Sequence, residues 1–133
     1  MRHLIVIAIL LLALPAHGQS SENKDLIGAL PEPAAPYDDK LLRLAEVLGS
    51  IHYLRSLCEA GEGNKWRETM ASLLVAEKPG PKRKNRLIAR FNRGYRAFNE
   101  TYGSCTASAA TAGERYRAEG IQIAGQIARR FGR

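Results

Sequence analysis

Apolar residues recur every three or four positions along four stretches of this 133-residue chain, which is the period of an amphipathic α-helix. The first helix is predicted from about Asp38 to Glu59. Its apolar positions are Leu41, Leu44, Leu48, Ile51, Leu54 and Cys58, and Val47 and Leu57 widen this stripe. Asp38 or Asp39 is expected to supply the N-cap oxygen. Gly61 and Gly63 are expected to end the helix, because glycine adopts left-handed backbone conformations at little steric cost.

A second, shorter helix is predicted from Asn64 to about Glu77. Its apolar positions are Trp66, Met70, Leu73 and Leu74. The run Lys78-Pro79-Gly80-Pro81 interrupts the helical pattern. Because proline suits the first turn of a helix, Pro81 predicts the start of a third helix, which continues to about Tyr102.

The third helix has the strongest pattern in the chain. At about 100° per residue its apolar side chains fall on one arc of the helix. They are Leu87, Ile88, Phe91, Tyr95, Phe98 and Tyr102. Six of its seven cations occupy a separate arc and are Lys82, Arg83, Arg86, Arg90, Arg93 and Arg96. Gly94 lies at the edge of the apolar arc, where glycine costs about 1 kcal/mol relative to alanine. A close crossing with another helix would explain glycine at this position.

A fourth helix is predicted after Gly103, capped by Thr106 or Ser108 and ending near Arg130. Its apolar face is dominated by small residues and comprises Ala109, Ala112, Gly113, Tyr116, Gly120, Ile123, Ala124, Ile127 and Phe131. Four helices joined by short breaks predict an all-α fold, a small up-down-up-down four-helix bundle.

The two cysteines, Cys58 and Cys105, test this topology. In such a bundle the first and third helices run parallel, so their C-terminal ends lie together. Cys58 closes the first helix, and Cys105 falls three residues after the third. An exported chain with two cysteines is expected to pair them. A disulfide at this separation is worth about 4 kcal/mol in the chain-entropy model.

The N-terminus predicts export. Met1-Arg2-His3 is a short basic start, residues 4–14 are an unbroken apolar run, and Ala16 and Gly18 are small. Eleven residues span about 16 Å as a helix, roughly half of the ~30 Å hydrocarbon core, so a signal peptide is favoured over a membrane span. Residues 1–18 are predicted to be removed after Gly18, which leaves no membrane span and places the protein in the periplasm.

The mature chain is predicted to have two parts. Residues 19–36 contain Pro31, Pro33 and Pro36 and are expected to form a disordered, Pro/Ala-rich linker. Residues 37–133 are expected to form the helical domain. The small residues of the fourth helix could pack within the bundle or between copies, so the sequence leaves the oligomeric state open.

The positive charge is concentrated in the third helix. Seven Lys/Arg and no acidic residue lie between Lys82 and Arg96, and the formal net charge of the whole chain is +7. Such a helix in a cytosolic protein suggests nucleic acid, but export favours an unknown protein partner with an acidic face or an anionic envelope component. A row formed by Arg83, Arg86, Arg90 and Arg93, about 15 Å long, is the candidate anion- or partner-binding site. The alternative is a solvated face that keeps the protein soluble.

The residues indicate no catalytic, cofactor or metal site. His52 is the only histidine left after signal removal, and it is expected to be partly buried and hydrogen-bonded. Glu46, Glu68 and Glu114 are placed on three different helices, with nothing to select a pair. We therefore expect a binding module rather than an enzyme. An envelope-modifying enzyme or enzyme accessory remains an alternative, and a DNA-binding helical domain is a weaker one.

Several motifs resemble those of a family of small exported bacterial proteins with a domain of unknown function. They are Leu41-Leu42-Arg43-Leu44-Ala45-Glu46, His52-Tyr53-Leu54-Arg55, Cys58, Trp66-Arg67, Phe91-Asn92-Arg93-Gly94-Tyr95 and Cys105-Thr106. A proline often follows the Cys-Thr pair in that family, where this chain has Ala107. The resemblance covers about residues 37–131 and implies an envelope location in Gram-negative bacteria. It implies no activity.

Overall fold

The computed structural model describes residues 32–58 and 61–132. They form four α-helices: α1 (Asp38–Leu57), α2 (Lys65–Glu77), α3 (Pro81–Asn99) and α4 (Ala107–Phe131). All regular secondary structure in these two ranges is helical. The predicted all-α, up-down-up-down bundle is confirmed. The predicted signal peptide and the linker as far as Pro31 lie outside the described residues.

Helix α1 is the centre of the bundle, and α2, α3 and α4 each pack against it. Its buried residues therefore surround the helix rather than forming one stripe. They are Leu41, Leu42, Leu44, Ala45, Val47, Leu48, Gly49, Ser50, Ile51, His52 and Leu54. A helix that is apolar on all sides is one that has neighbours on all sides. The single stripe predicted from the sequence understated this burial.

Contacts at the two ends of the bundle set the helix directions. Cys58 follows α1 and Cys105 follows α3, and the two are joined in the predicted disulfide with their Cα atoms 4.9 Å apart. Helices α1 and α3 are therefore parallel. At the other end, the ring of Tyr37 lies 5.0 Å from that of Phe131 at the end of α4. The hydroxyl of Tyr37 donates a hydrogen bond to Glu77 at the end of α2, at 3.2 Å. Helices α2 and α4 thus run antiparallel to α1.

The crossing of α1 and α3 depends on two glycines. A Cβ atom at Gly94 would overlap the backbone carbonyl oxygen of Glu46, and a Cβ atom at Gly49 would overlap that of Phe91. The two backbones are thus in direct contact at this point. The close crossing predicted from Gly94 is confirmed, whereas its counterpart Gly49 lies inside an apolar run and gave no separate signal.

The helix starts were predicted with mixed success. Thr106 caps α4 as expected, and its hydroxyl oxygen accepts a hydrogen bond from the Ala109 amide at 3.1 Å. The prediction that Asp38 or Asp39 is the N-cap of α1 is wrong, since Tyr37 occupies that position without a side-chain cap. Both aspartates lie in the first turn instead, where their charge still favours the positive end of the helix.

Two glycines shape the connection between α1 and α2. Gly61 and Gly63 have φ values of +67° and +50°, so both adopt the left-handed conformation that the sequence predicted.

Helix α3 ends at Asn99, three residues before the predicted end at Tyr102. The carbonyl oxygen of Tyr102 accepts a hydrogen bond from the hydroxyl of Tyr53 on α1.

Candidate functional site

The cations of α3 divide into two groups according to what they contact. Arg83 points into the bundle, and only 13% of its side chain is exposed. Its Nη2 atom lies 2.6 Å from Oδ1 of Asp38 and 2.7 Å from Oε2 of Glu77. Burial by itself lowers the pKa of Arg83, but the hydrogen bonds to Asp38 and Glu77 outweigh it and raise the pKa above its ordinary value. Arg83 therefore joins the starts of α1 and α3 to the end of α2.

Arg90 is intermediate between the two groups. Its Nη1 atom lies 3.1 Å from Oε2 of Glu46 on α1, and 43% of its side chain is exposed. The other oxygen of Glu46 pairs with Arg43 at 3.1 Å. Because Glu46 is shared between two guanidinium groups, the charge of Arg90 is only partly compensated.

The remaining cations on this side of α3 face the solvent. Together they define the outward basic face, which consists of Lys82, Arg86, Arg93 and Arg96. The exposed residue Ala89 lies between the first pair, Lys82 and Arg86, and the second pair, Arg93 and Arg96. The face extends over about 21 Å of helix. The ion pairs that α3 forms with described carboxylates involve Arg83 and Arg90, not these four residues.

The predicted row of four arginines is thus brought to one side of α3, but its members are not equivalent. Arg86 and Arg93 are exposed, Arg90 lies at the edge of the face, and Arg83 is held within the bundle. The sequence could not separate them, because Asp38 and Glu46, which hold Arg83 and Arg90, lie 45 and 44 positions away in the chain. As a binding site, the row remains a prediction.

The apolar arc of α3 is narrower than predicted. Leu87, Phe91 and Gly94 are buried against α1. Ile88 lies on the predicted apolar arc, but it is 36% exposed. The reason is that α3 packs extensively against only one helix. One neighbour covers a narrower arc than the two expected in a regular four-helix bundle.

The aromatic residues of α3 pack against residues of the neighbouring helices. The ring of Tyr95 meets that of Tyr53 edge-on at 5.2 Å. The ring of Phe98 meets that of Tyr116 on α4 edge-on at 5.0 Å. Because these rings are directed towards neighbouring helices, the outward basic face is left to the cations.

Sequence reasoning missed a cap at the start of α3. The carboxylate of Glu32 accepts hydrogen bonds from the backbone amides of Lys82 at 2.7 Å and Arg83 at 2.8 Å. Gly80 occupies the N-cap position and has no side chain to do this. The signal available in the sequence was the absence of a capping side chain at Gly80, but nothing local pointed to Glu32.

A comparison with known families places the chain. A family model described as "Protein of unknown function (DUF2385)" matches residues 36–131. This chain belongs to the DUF2385 family. The match includes all four helices, both cysteines and the Phe91–Tyr95 run, and it confirms the resemblance found from the motifs. No curated protein and no solved structure matches the chain.

The DUF2385 description names no reaction. The one histidine among the described residues, His52, is buried. His52 is 8% exposed and lies between the rings of Phe91 and Tyr95, at 6.0 and 5.8 Å. Its Nδ1 atom is buried without a hydrogen-bond partner among the described residues, so the expected hydrogen bond is not formed there. Burial lowers the pKa of His52, and the nearby cation Arg67 lowers it further.

Two of the three candidate carboxylates, Glu46 and Glu114, form ion pairs on different sides of α1. Glu46 pairs with arginines of α1 and α3, whereas Glu114 pairs with Arg55. Within residues 32–58 and 61–132, no group of three or more His, Cys, Asp or Glu side chains is arranged to hold a metal ion. None of the helices in these ranges is long and apolar enough to cross a membrane.

Proposed function

We propose that this DUF2385 protein is an exported, disulfide-stabilised helical binding module. Its outward basic face holds the carboxylate or phosphate groups of an anionic partner in the periplasm. The observation that carries the proposal is the distribution of charge on α3, which has seven cations and no carboxylate between Lys82 and Arg96. Arg83 and, in part, Arg90 form ion pairs within the bundle, whereas the outward basic face of α3 is exposed to solvent.

The residue types on this face favour recognition over simple solubility. Three of its four cations are arginines: Arg86, Arg93 and Arg96. A guanidinium group is planar and can donate two parallel hydrogen bonds to one carboxylate or phosphate, which an ammonium group cannot do. An isolated exposed ion pair contributes only about 0.2–1 kcal/mol. Binding would therefore depend on several arginines acting together and would weaken with salt.

The export part of the proposal rests on two features. The predicted signal peptide occupies residues 1–18, and the pair Cys58–Cys105 forms a disulfide. Disulfides are typical of oxidising compartments such as the periplasm. N-terminal sequencing of protein from envelope fractions tests this part. An intact Met1 on a cytosolic protein with free thiols would exclude it.

The binding part is tested by charge reversal on the outward basic face. Protein carrying Arg86→Glu and Arg93→Glu is compared with the wild type in crosslinking and pull-down from periplasmic extracts. We expect the double variant to lose a partner whose capture by the wild type decreases with salt, and to keep its melting temperature. Capture of the same partners by the double variant would show that this face is not the site.

The matched control carries Arg117→Glu and Arg129→Glu. Both residues are exposed on α4, and the two substitutions change the net charge by the same amount. If binding depends on the outward basic face, the control retains the partner. If the control loses it as well, the interaction follows net charge alone, and the proposal of a specific site fails.

A further inference from the structure

A second surface lies between the last turn of α3, with Tyr102 just beyond it, and the facing side of α4. It is an open groove of about 720 Å³ with Arg43 of α1 in its lining. The groove exists because α3 and α4 both pack on α1 and meet each other at few points. Ala112 and Ala118 on α4 are too small to fill the space between the helices.

Three aromatic rings line one part of the groove. The planes of Phe98 and Tyr102 are nearly parallel, at 3°, with their centroids 6.2 Å apart. Tyr116 meets Phe98 edge-on with the centroids 5.0 Å apart. All three side chains are partly exposed. The packing of the bundle therefore leaves part of each ring available to a ligand, unlike the ring of Phe91, which is 7% exposed.

Fixed polar groups lie beside these rings. The guanidinium of Arg43 donates to both carboxylate oxygens of Glu119, at 2.7 and 3.0 Å, and lies 5.5 Å from the centre of the Tyr116 ring. These hydrogen bonds hold both side chains in place and raise the pKa of Arg43 above its ordinary value. Arg115 and Gln122 are exposed at the rim. Pre-ordered polar groups next to an aromatic surface are typical of ligand sites, because little side-chain entropy is lost on binding.

We propose that this groove binds a short stretch of glycan. A sugar ring has apolar C–H faces that can lie on Phe98 and Tyr102. Its edge hydroxyls can pair with planar groups such as the Glu119 carboxylate and the Gln122 amide. The groove is open along its length, which suits an extended, hydroxylated chain better than a compact apolar molecule.

The charge in the groove also fits a glycan. Glu119 compensates Arg43, so Arg115 is the cation left for a ligand. Because the described residues give this groove a single free cation at its rim, its ligand need not be a polyanion. The outward basic face, with four cations, differs in this respect. The inference therefore stands independently of the function proposed above.

The test is a nuclear magnetic resonance titration of the disulfide-bonded protein with two tetrasaccharides, β-1,4-linked N-acetylglucosamine and α-1,4-linked glucose. We expect at least one of them to give saturable shifts of the Tyr102, Tyr116 and Gln122 signals. Tyr102→Leu removes one stacking ring, and Gln122→Ala removes an exposed amide without touching the core. Each is expected to weaken binding about three- to tenfold.

A control variant and a competing ligand test whether binding is specific to this groove and to sugars. Arg86→Glu with Arg93→Glu should leave sugar affinity unchanged, so this result does not depend on the fate of the basic face. An acidic tetrapeptide serves as the competing ligand class. The proposal is overturned if neither sugar causes saturable shifts, if Gln122→Ala and Tyr102→Leu bind as the wild type does, or if the peptide alone binds the groove.

Discussion

Gly94 of α3 lies directly against the backbone carbonyl of Glu46 on α1. No side chain separates the two helices there, and the contact is repeated one turn away between Gly49 and Phe91. This crossing brings α3 close enough to α1 for Arg90 to reach Glu46 while the other side of α3 faces the solvent. The spacing of two helices thus determines which arginines are available for binding.

Gly94→Ala is expected to destabilise the protein. The added methyl group gains up to about 1 kcal/mol of helix propensity, but it overlaps a backbone atom that cannot rotate away. We expect a net loss of about 3 kcal/mol in the free energy of unfolding, measured by urea denaturation. Gly113→Ala is the matched control, since its Cβ atom would meet Leu54 at an ordinary 3.6 Å. It should be neutral or stabilising, and an equal loss in both variants would contradict this explanation.

The disulfide should carry much of the stability of this small bundle. The bond Cys58–Cys105 closes a loop across 47 positions, and in the chain-entropy model its loss costs about 4 kcal/mol. We expect dithiothreitol to lower the melting temperature of the wild type. The double variant Cys58→Ser/Cys105→Ser should melt at the lower temperature with or without the reductant. A reductant-sensitive double variant would show that the effect has another origin.

The same substitution should destabilise the protein strongly at Arg83 and hardly at all at Arg86. Arg83→Met leaves Asp38 and Glu77 without their shared cation in a largely buried position, and we expect a loss of about 3 kcal/mol in the free energy of unfolding. Arg86→Met removes an exposed side chain and should change stability by less than about 0.5 kcal/mol. If both variants prove equally stable, the distinction between an internal arginine and a surface arginine is wrong.

His52 should make stability depend on pH below about pH 7. Burial, with Arg67 nearby, lowers its pKa in the folded protein, while the unfolded chain takes up the proton near pH 6.5. Below that pH the unfolded state binds more protons than the folded state, so the free energy of unfolding falls as pH falls and is level above it.

Two variants isolate this effect in urea denaturations at a series of pH values. His52→Leu should remove the slope, and Arg67→Gln should reduce it by removing a nearby positive charge. If His52→Leu keeps the same slope as the wild type, other groups are responsible for the pH dependence.

The cap formed by Glu32 should protect specific amides. Its carboxylate accepts from the amides of Lys82 and Arg83, and loss of such a cap costs about 1 kcal/mol. Glu32→Ala should accelerate hydrogen exchange at these two amides and leave the centre of α3, for example Phe91, unchanged. Glu32→Gln keeps an acceptor oxygen and should have a smaller effect. Exchange that is unchanged at both amides would show that the cap does not form in solution.

Much of the bundle was predictable because its determinants are local. Helix periodicity placed all four helices, Pro81 and Gly61 marked boundaries, and the hydroxyl of Thr106 identified a cap within three residues of its partner. The cysteine pair followed from the helix directions together with the predicted export. The differences have another cause. The exposure of Ile88 and the burial of α1 on most of its sides reflect how many neighbours each helix has, which no local pattern records.

By itself, the sequence determined the helical class, the parallel arrangement of α1 and α3, and the concentration of positive charge on one helix. Only the tertiary structure decided the use of that charge. Arg83 and Arg86 lie three residues apart on the same arc, yet Asp38 and Glu77 converge on the first and leave the second exposed. Those carboxylates lie 45 and 6 positions from Arg83 in the sequence. They meet the guanidinium because three helix ends come together at one end of the bundle, and that meeting is a property of packing in space.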